Sequence, residues 1–256
     1  MSSIKKRFLN MYRNVNAGHV GCSLSAAEIL TVVKFSWFQP GDELILSKGH
    51  AAAALYSVLA EYGDIHDTDC ATFYQEGTLY AAHPPPGKIP GIRFATGSLG
   101  HGLSLGSGLA LANKLDDDNA RIYVVCSDGE MNEGSTWEAV LFAGHHKFAN
   151  LVCIVDRNQI QGFGRTEDVI SLGDLGAKFR QFGWDAVEVP GHDVDALSEL
   201  YTSEICRSRN KPLAIICNTI KGYGYCELEN TVACHYLPMT EEQYSKMVPP
   251  PGANGV

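Results

Sequence analysis

Two oxygen-bearing side chains, Asp128 and Asn158, stand thirty positions apart in the segment CSDGEMNEGSTWEAVLFAGHHKFANLVCIVDRNQIQG, which runs from Cys126 to Gly162. Each follows a short apolar run, so each falls at the end of an expected strand. Brought together, a carboxylate and an amide carbonyl suit magnesium or calcium, whose remaining positions phosphate oxygens and water can fill. Gly129, next to Asp128, would let a phosphate approach the backbone with no side chain in the way. Histidines form a second set. His19 lies in AGHVGCSLS, His50 in LSKGH, His83 in AAHPPPG and His101 in TGSLGHG. Each adjoins Gly or Pro, hence irregular backbone, and loop imidazoles suit hydrogen bonding and proton transfer near neutral pH.

These residues need a scaffold, and the second half of the chain supplies its pattern. Arg121–Cys126 (RIYVVC), Leu151–Asp156 (LVCIVD), Ala186–Val189 (AVEV) and Leu213–Asn218 (LAIICN) are β-rich runs. Glu133–Lys147 and Asp193–Arg209 have helical apolar spacing between them. Near-continuous Val, Ile and Cys runs fit strands buried on both faces of a parallel sheet. Alternation with helices gives right-handed βαβ units, so the expected fold is α/β: a doubly wound, mainly parallel sheet flanked by helices. Ligands in such a sheet bind at the carboxyl ends of strands, where Asp128 and Asn158 fall. The first half is richer in helix, with Ser23–Phe38, Gly49–Tyr62 and Leu99–Lys114 as candidates and Glu43–Leu46 as a short strand. Ala81–Gly97, with its Pro-Pro-Pro run, cannot be regular structure. The Pro- and Gly-rich tail, 248–256, is expected to be mobile, leaving 1–247 as one domain.

Composition closes off several classes. A net charge of −9 argues against a nucleic-acid partner, which would require a basic face. The N-terminus carries Lys5, Lys6 and Arg7 but no apolar run or small-residue cleavage site, and no run of eighteen apolar residues marks a membrane span. A cytoplasmic protein is expected. None of the eight cysteines forms a Cys-x-x-Cys pair, so zinc ribbons and redox dithiols are unsupported. A dinucleotide fold also loses: counted from Gly100, the G-x-G-x-x-G pattern fails at Leu105, and no strand leads into it. His145 and His146 sit on adjacent helix positions, which do not share a face, so no metal site is expected there.

The segments GHVGCSLSAAEIL, LILSKGHAAAALYSVL, HPPP with GIRFATGSLGHG, SDGEMNEGSTWEA, DRNQIQGFG, KFRQFGWDAVEVPGHDVDAL and TIKGYG, with His235 beyond, follow one another in a familiar order. In order and approximate spacing they resemble the transketolase family over nearly the whole chain. Ser127 stands where that family's thiamine-diphosphate fingerprint has its first glycine, Val20 replaces a usual proline, and His101 a common glutamine.

The resemblance implies the thiamine-diphosphate-binding fold, specifically its diphosphate domain, and a role for each matched residue. His19, His50 and His83 would line the substrate channel and hydrogen-bond a sugar-like substrate. Gly97 and Leu99 would contact the cofactor; Gly129, Lys221 and His235 would reach its diphosphate. Asp128, Asn158 and the carbonyl of Ile160 would ligate Mg2+ or Ca2+. Glu133 and Glu138 would join a carboxylate network across an interface between chains, although helix-start chemistry accounts for them equally. The family's cofactor-activating glutamate belongs to a second, pyrimidine-binding domain, for which 256 residues leave no room. The expectation is one subunit of a split, two-component enzyme, paired with a pyrimidine-domain (C-terminal) transketolase subunit in a heterotetramer of two copies of each chain. It would transfer a two-carbon ketol unit from a ketose to an aldehyde. A component of a 2-oxo acid decarboxylase or carboligase, and a non-catalytic relative that keeps the fold, are the alternatives.

Overall fold

Strands Glu43–Leu46 (β1), Ile122–Ser127 (β2), Leu151–Arg157 (β3), Asp185–Pro190 (β6) and Leu213–Asn218 (β7) form a five-stranded sheet in the order β1-β2-β3-β7-β6. Every neighbouring pair is parallel. The computed structural model describes residues 1–203 and 210–249. A small antiparallel hairpin, Ile160–Gln161 (β4) and Gly164–Arg165 (β5), follows β3.

The apolar strand runs alternate between two cores, as a pleat requires. Leu44, Leu46, Tyr123, Val125, Val152, Ile154, Leu213 and Ile215 face one core. The helices on that side are Ser2–Asn14 (α1), Val20–Val32 (α2), Ala52–Tyr62 (α3), the short Asp67–Cys70 (α4) and Val194–Thr202 (α9). Ile45, Ile122, Val124, Cys126, Cys153, Val155 and Ile216 face the other core. That core is closed by Gly102–Leu115 (α5), Gly134–His146 (α6) and Leu175–Gln181 (α8). The short turns Thr166–Val169 (α7) and Ala233–Tyr236 (α10) and the helix Glu241–Met247 (α11) lie at the rim. The expected doubly wound α/β fold is present.

Details differ from expectation where caps and side-chain charge misdirect. The second helix starts at Val20 rather than Ser23, because His19 adopts a left-handed backbone (φ 72°) and ends the preceding loop. The third is entered through a 3-10 turn, Gly49–Ala51, that holds His50. The fifth starts at Gly102, leaving Leu99 and Gly100 in a loop. Helix α9 ends at Thr202, and the rest of its expected span, 204–209, lies outside the described residues, as does 250–256 of the tail. Helix α1 was concealed by its charges: Ile4, Phe8, Leu9, Met11 and Tyr12 form its buried stripe, while Lys5, Lys6 and Arg7 sit between. One span, Val20–Trp37, is long and apolar enough to cross a membrane, but 83% of it is buried inside the protein. Its apolarity reflects packing on the sheet and on α1, α3 and α9.

Candidate active site

Four of the chemistry-bearing loops leave the carboxyl end of the parallel sheet. β1 ends at Leu46 and is followed by Ser47, Lys48, Gly49 and His50; β2 delivers Asp128; β3 delivers Asn158; β7 delivers Thr219 and Lys221. β2 and β3 pair Ser127 with Asp156, which sets Asp128 and Asn158 on neighbouring strand tips. The loops touch: Gln159 N–H donates to Asp128 Oδ2 at 2.7 Å. Thr166 Oγ1 donates to the same oxygen at 3.0 Å, and Gly129 N–H donates to Oδ1 at 2.9 Å. Asn158 Oδ1 accepts from Ile160 N–H at 3.2 Å. Gln159 between them is left-handed at φ 64°, a conformation that costs a non-glycine residue on the order of 1 kcal/mol and recurs at functional sites.

Asp128 is 2% exposed, and burial, then the neighbouring charge of Asp156, pushes its carboxyl above the usual range. A buried carboxylate in that state is poised to gain from a cation. Lys221, also buried, reaches the Ile160 carbonyl at 3.4 Å and His235 Nδ1 at 3.2 Å. Burial would lower Lys221, yet Cys22, then Asp156 and Asp128, hold it above its ordinary value. Among the described residues no cluster of three His, Cys, Asp or Glu side chains could hold a metal ion. The residue types at the two strand tips, a carboxylate, an amide oxygen and a backbone carbonyl, are of the hard-oxygen kind that magnesium or calcium takes.

The histidines expected in a channel do converge, and His235 joins them. Ring centroids lie 5.5 Å apart for His19 and His50, 6.4 Å for His19 and His83, 5.4 Å for His19 and His235, and 5.6 Å for His50 and His235. His19 caps α2, His50 follows β1, His83 comes from the proline-rich loop and His235 from α10. Small residues make this approach possible. A Cβ on Gly21 would fall 2.3 Å from Cys234 Sγ, so only glycine lets the α2 entry pack against α10. Gly97 has φ 136°, and a Cβ there would lie 2.6 Å from His83 Cδ2. Burial pushes His50 down to about 4, and burial likewise lowers His19 and His83. These rings are neutral at physiological pH, able both to donate and to accept hydrogen bonds. Cys22 sits beneath them, with Sγ 4.0 Å from His235 Nδ1. Burial alone would raise its thiol, but Lys221 and then His50 bring it well below the usual thiol value.

Gly129 opens a 3-10 turn beside Asp128, and Leu99 is half-buried in the loop before α5. Glu133 caps α6 and Glu138 lies in its second turn, and both are exposed. His101 turns its Nδ1 back onto the carbonyls of Ser98 and Leu99 and is exposed. Ser127, in the place of a glycine, is accommodated: its hydroxyl accepts from Glu130 N–H at 3.3 Å.

Several working residues were not singled out from sequence. Glu130, 1% exposed, binds Ser47 Oγ and accepts from Gly100 N–H at 2.8 Å, tying the Leu99–Gly100 loop to the β1 and β2 tips. Burial raises its carboxyl, only partly offset by Ser47. Asp156 pairs with Lys48 at full burial. The visible signal was a carboxylate inside the apolar run LVCIVD, and a lysine two positions before His50 in LSKGH, since buried charges must be paired. His192 accepts from Ile220 N–H at 2.9 Å through Nε2, pairs with Glu28 at 3.0 Å, and so braces the turn that carries Lys221.

The chain is similar to known proteins over nearly its whole length. The family model described as transketolase, thiamine diphosphate binding domain, matches residues 2–252. One of the apulose-4-phosphate transketolase subunits of Phocaeicola vulgatus is 36% identical over 253 residues, covering 95% of this chain and 89% of that protein. The 6-deoxy-6-sulfo-D-fructose transketolase subunit SqwG of a Clostridium species is 36% identical over 254 residues, covering 96% and 92%. A crystal structure of Pichia stipitis transketolase in complex with sedoheptulose 7-phosphate superposes with a TM-score of 0.85 at 32% identity, covering 96% of this chain. The chain spans only 39% of that longer protein. With the fold, the strand-tip loops and the full-length family match in agreement, the chain belongs to the transketolase family and carries its thiamine-diphosphate-binding domain.

Proposed function

We propose that this chain is the diphosphate-binding subunit of a two-component transketolase, completed by a pyrimidine-domain partner. The observation that carries the reading is the cluster of His19, His50, His83 and His235, with His235 on Lys221 and Lys221 in turn on the Ile160 carbonyl of the loop that touches Asp128. Bound, thiamine diphosphate supplies the nucleophilic carbon that carries a two-carbon ketol unit from a ketose to an aldehyde. Lys221 and His235 offer donors to its diphosphate. Asp128, Asn158 and the Ile160 carbonyl hold Mg2+ or Ca2+, whose charge offsets that of Asp128. Gly97, Leu99 and Gly129 line the approach. Neutral His19, His50 and His83 hydrogen-bond substrate hydroxyls and hold or move their protons, which favours a polyhydroxylated substrate over a simple 2-oxo acid.

Two of the matching relatives of similar length are named as single subunits of transketolases for a phosphorylated and a sulfonated sugar, which supports a partner chain and an anionic sugar substrate. Exposed Leu141 and Phe142 share α6 with exposed Glu138, and an apolar groove of about 670 Å³ runs beside α5 between Phe94, Leu105 and Leu109. This face suits the contacts of a heterotetramer with two copies of each chain, and Glu133 and Glu138 would meet the neighbouring chain there. The seven described cysteines, all free thiols, support a cytoplasmic setting. Mixing the chain with a pyrimidine-domain subunit, Mg2+ and thiamine diphosphate should give ketol transfer from a ketose phosphate, with neither chain active alone. Full turnover by this chain by itself would overturn the reading.

A further inference from the structure

Beneath the Asp128 and Asn158 loops lies a polar layer whose hydrogen bonds can run in only one direction. Asp156 and Lys48 are both wholly buried and form an ion pair. An ionised carboxylate has acceptors and no donor, so hydroxyls that meet it must donate. Ser25 Oγ does so to Asp156 Oδ2 at 2.6 Å, and Thr219 Oγ1 donates to Oδ1. A hydroxyl has one proton. Ser25 Oγ faces two acceptors, Asp156 Oδ2 and the Cys22 carbonyl at 3.2 Å; with its one proton given to either, it accepts from the next group in line, the Nδ2 of Asn158 at 3.5 Å. The other end of that amide, Oδ1, accepts from Ile160 N–H. With its nitrogen toward the Ser25 oxygen and its Oδ1 on Ile160 N–H, the amide is oriented so that its oxygen lies in the turn that Gln159 joins to Asp128.

Stability does not explain the pair. Buried ion pairs can often be replaced by apolar residues at no loss, because desolvation consumes the Coulomb gain. What an apolar pair could not supply is the direction of the chain Lys48–Asp156–Ser25–Asn158. Resting on the metal assignment above, we infer that Lys48, Asp156 and Ser25 are positioning residues that orient the Asn158 amide with its carbonyl oxygen presented to the cofactor's cation. The opposite branch, Asp156 to Thr219, anchors the turn that leads to Lys221, so one buried carboxylate registers the metal and diphosphate sides of the cleft together.

The test uses the complex reconstituted with its pyrimidine-domain partner, with thiamine diphosphate saturating and Mn2+ as probe. Bound Mn2+ is read from the loss of the free-ion electron paramagnetic resonance signal. Ser25→Ala should weaken Mn2+ binding by about 10- to 100-fold, the usual cost of losing a group that orients a ligand. Ser25→Cys, which keeps the volume but accepts poorly, should weaken it in the same direction and covers the case in which Ser25→Ala does not fold. In an Asn158→Ala background, adding Ser25→Ala should change Mn2+ affinity by less than about twofold, because the residue it acts through is gone. A merely structural Ser25 would instead cost the same in both backgrounds, and that result overturns the inference. So does Mn2+ affinity within about twofold of wild type for both single variants of Ser25. Failure of the wild-type complex to take up Mn2+ is a different result: it removes the metal assignment itself, and this inference with it.

Discussion

Gln159 N–H meets Asp128 Oδ2 at 2.7 Å, so the loops after β2 and β3 are joined directly at the residues that would hold the cation. Neither loop is free to drift: Thr166 N–H binds the Gln159 carbonyl at 2.9 Å, and Thr166 Oγ1 binds Asp128. The strained backbone at Gln159 is thus held on both sides.

Replacing Asp128 by alanine removes the one carboxylate in the proposed donor set. Metal-dependent binding of thiamine diphosphate by the reconstituted complex should weaken by more than about 100-fold, beyond what loss of an orienting group alone costs. Calorimetric titration at fixed Mg2+ measures it. Unchanged affinity would mean the cation sits elsewhere.

His50 gives the chain a pH dependence of known sign. Its folded value is near 4 against 6.5 unfolded, so the unfolded state binds the extra proton between those limits. Stability should therefore fall as pH drops from 6.5 towards 4, by up to about 3 kcal/mol, less whatever the ring's remaining solvent contact screens. His50→Asn should flatten the thermal midpoint across this window. Parallel wild-type and variant curves would place the acid sensitivity on other groups.

Gly97→Ala tests the packing against His83. The new methyl would require φ 136° from a residue with a Cβ and would lie 2.6 Å from the imidazole. The cost should be on the order of 1–3 kcal/mol in stability. Turnover in the reconstituted complex should fall towards that of His83→Ala, itself expected to lose about 100-fold or more in kcat/KM. In the double variant the losses should not multiply, since the displaced ring is already absent; fully multiplicative losses would show that the glycine acts independently of His83.

On α6, Leu141→Lys removes exposed apolar surface and leaves the cores untouched, whereas Phe142→Lys also gives up an edge contact with the buried Phe148. The isolated Leu141→Lys chain should keep its stability within the roughly 0.5 kcal/mol typical of surface changes. Assembly with the partner, followed by sedimentation velocity, should weaken by at least about tenfold if these side chains anchor the interface. Normal assembly would move the interface off this face.

The strand runs, the parallel sheet and the family were legible in the sequence because they depend on local pattern. Val, Ile and Cys in RIYVVC, LVCIVD and LAIICN leave few choices other than buried parallel strands, and Asp128 and Asn158 follow from where those strands stop. Three of the converging histidines, His19, His50 and His83, were visible one at a time beside glycine or proline, and His235, between Cys234 and Tyr236, only through the family resemblance. Their meeting was not, because His19 and His235 lie 5.4 Å apart at the rings but more than two hundred positions apart in the chain.

Tertiary structure alone decided the charge pairing. Lys48 and Asp156 come from different strand tips, and although LVCIVD and LSKGH mark each as a charge near the core, nothing local says that the two meet. Their partnership depends on strand order, which puts β3 between β2 and β7 and so brings Ser25, Asn158 and Thr219 within reach of one carboxylate. Residue types set which chemistry was possible; the sheet's order set which groups could share it, because hydrogen bonds and ion pairs act over a few ångströms and sequence separation says nothing about that distance.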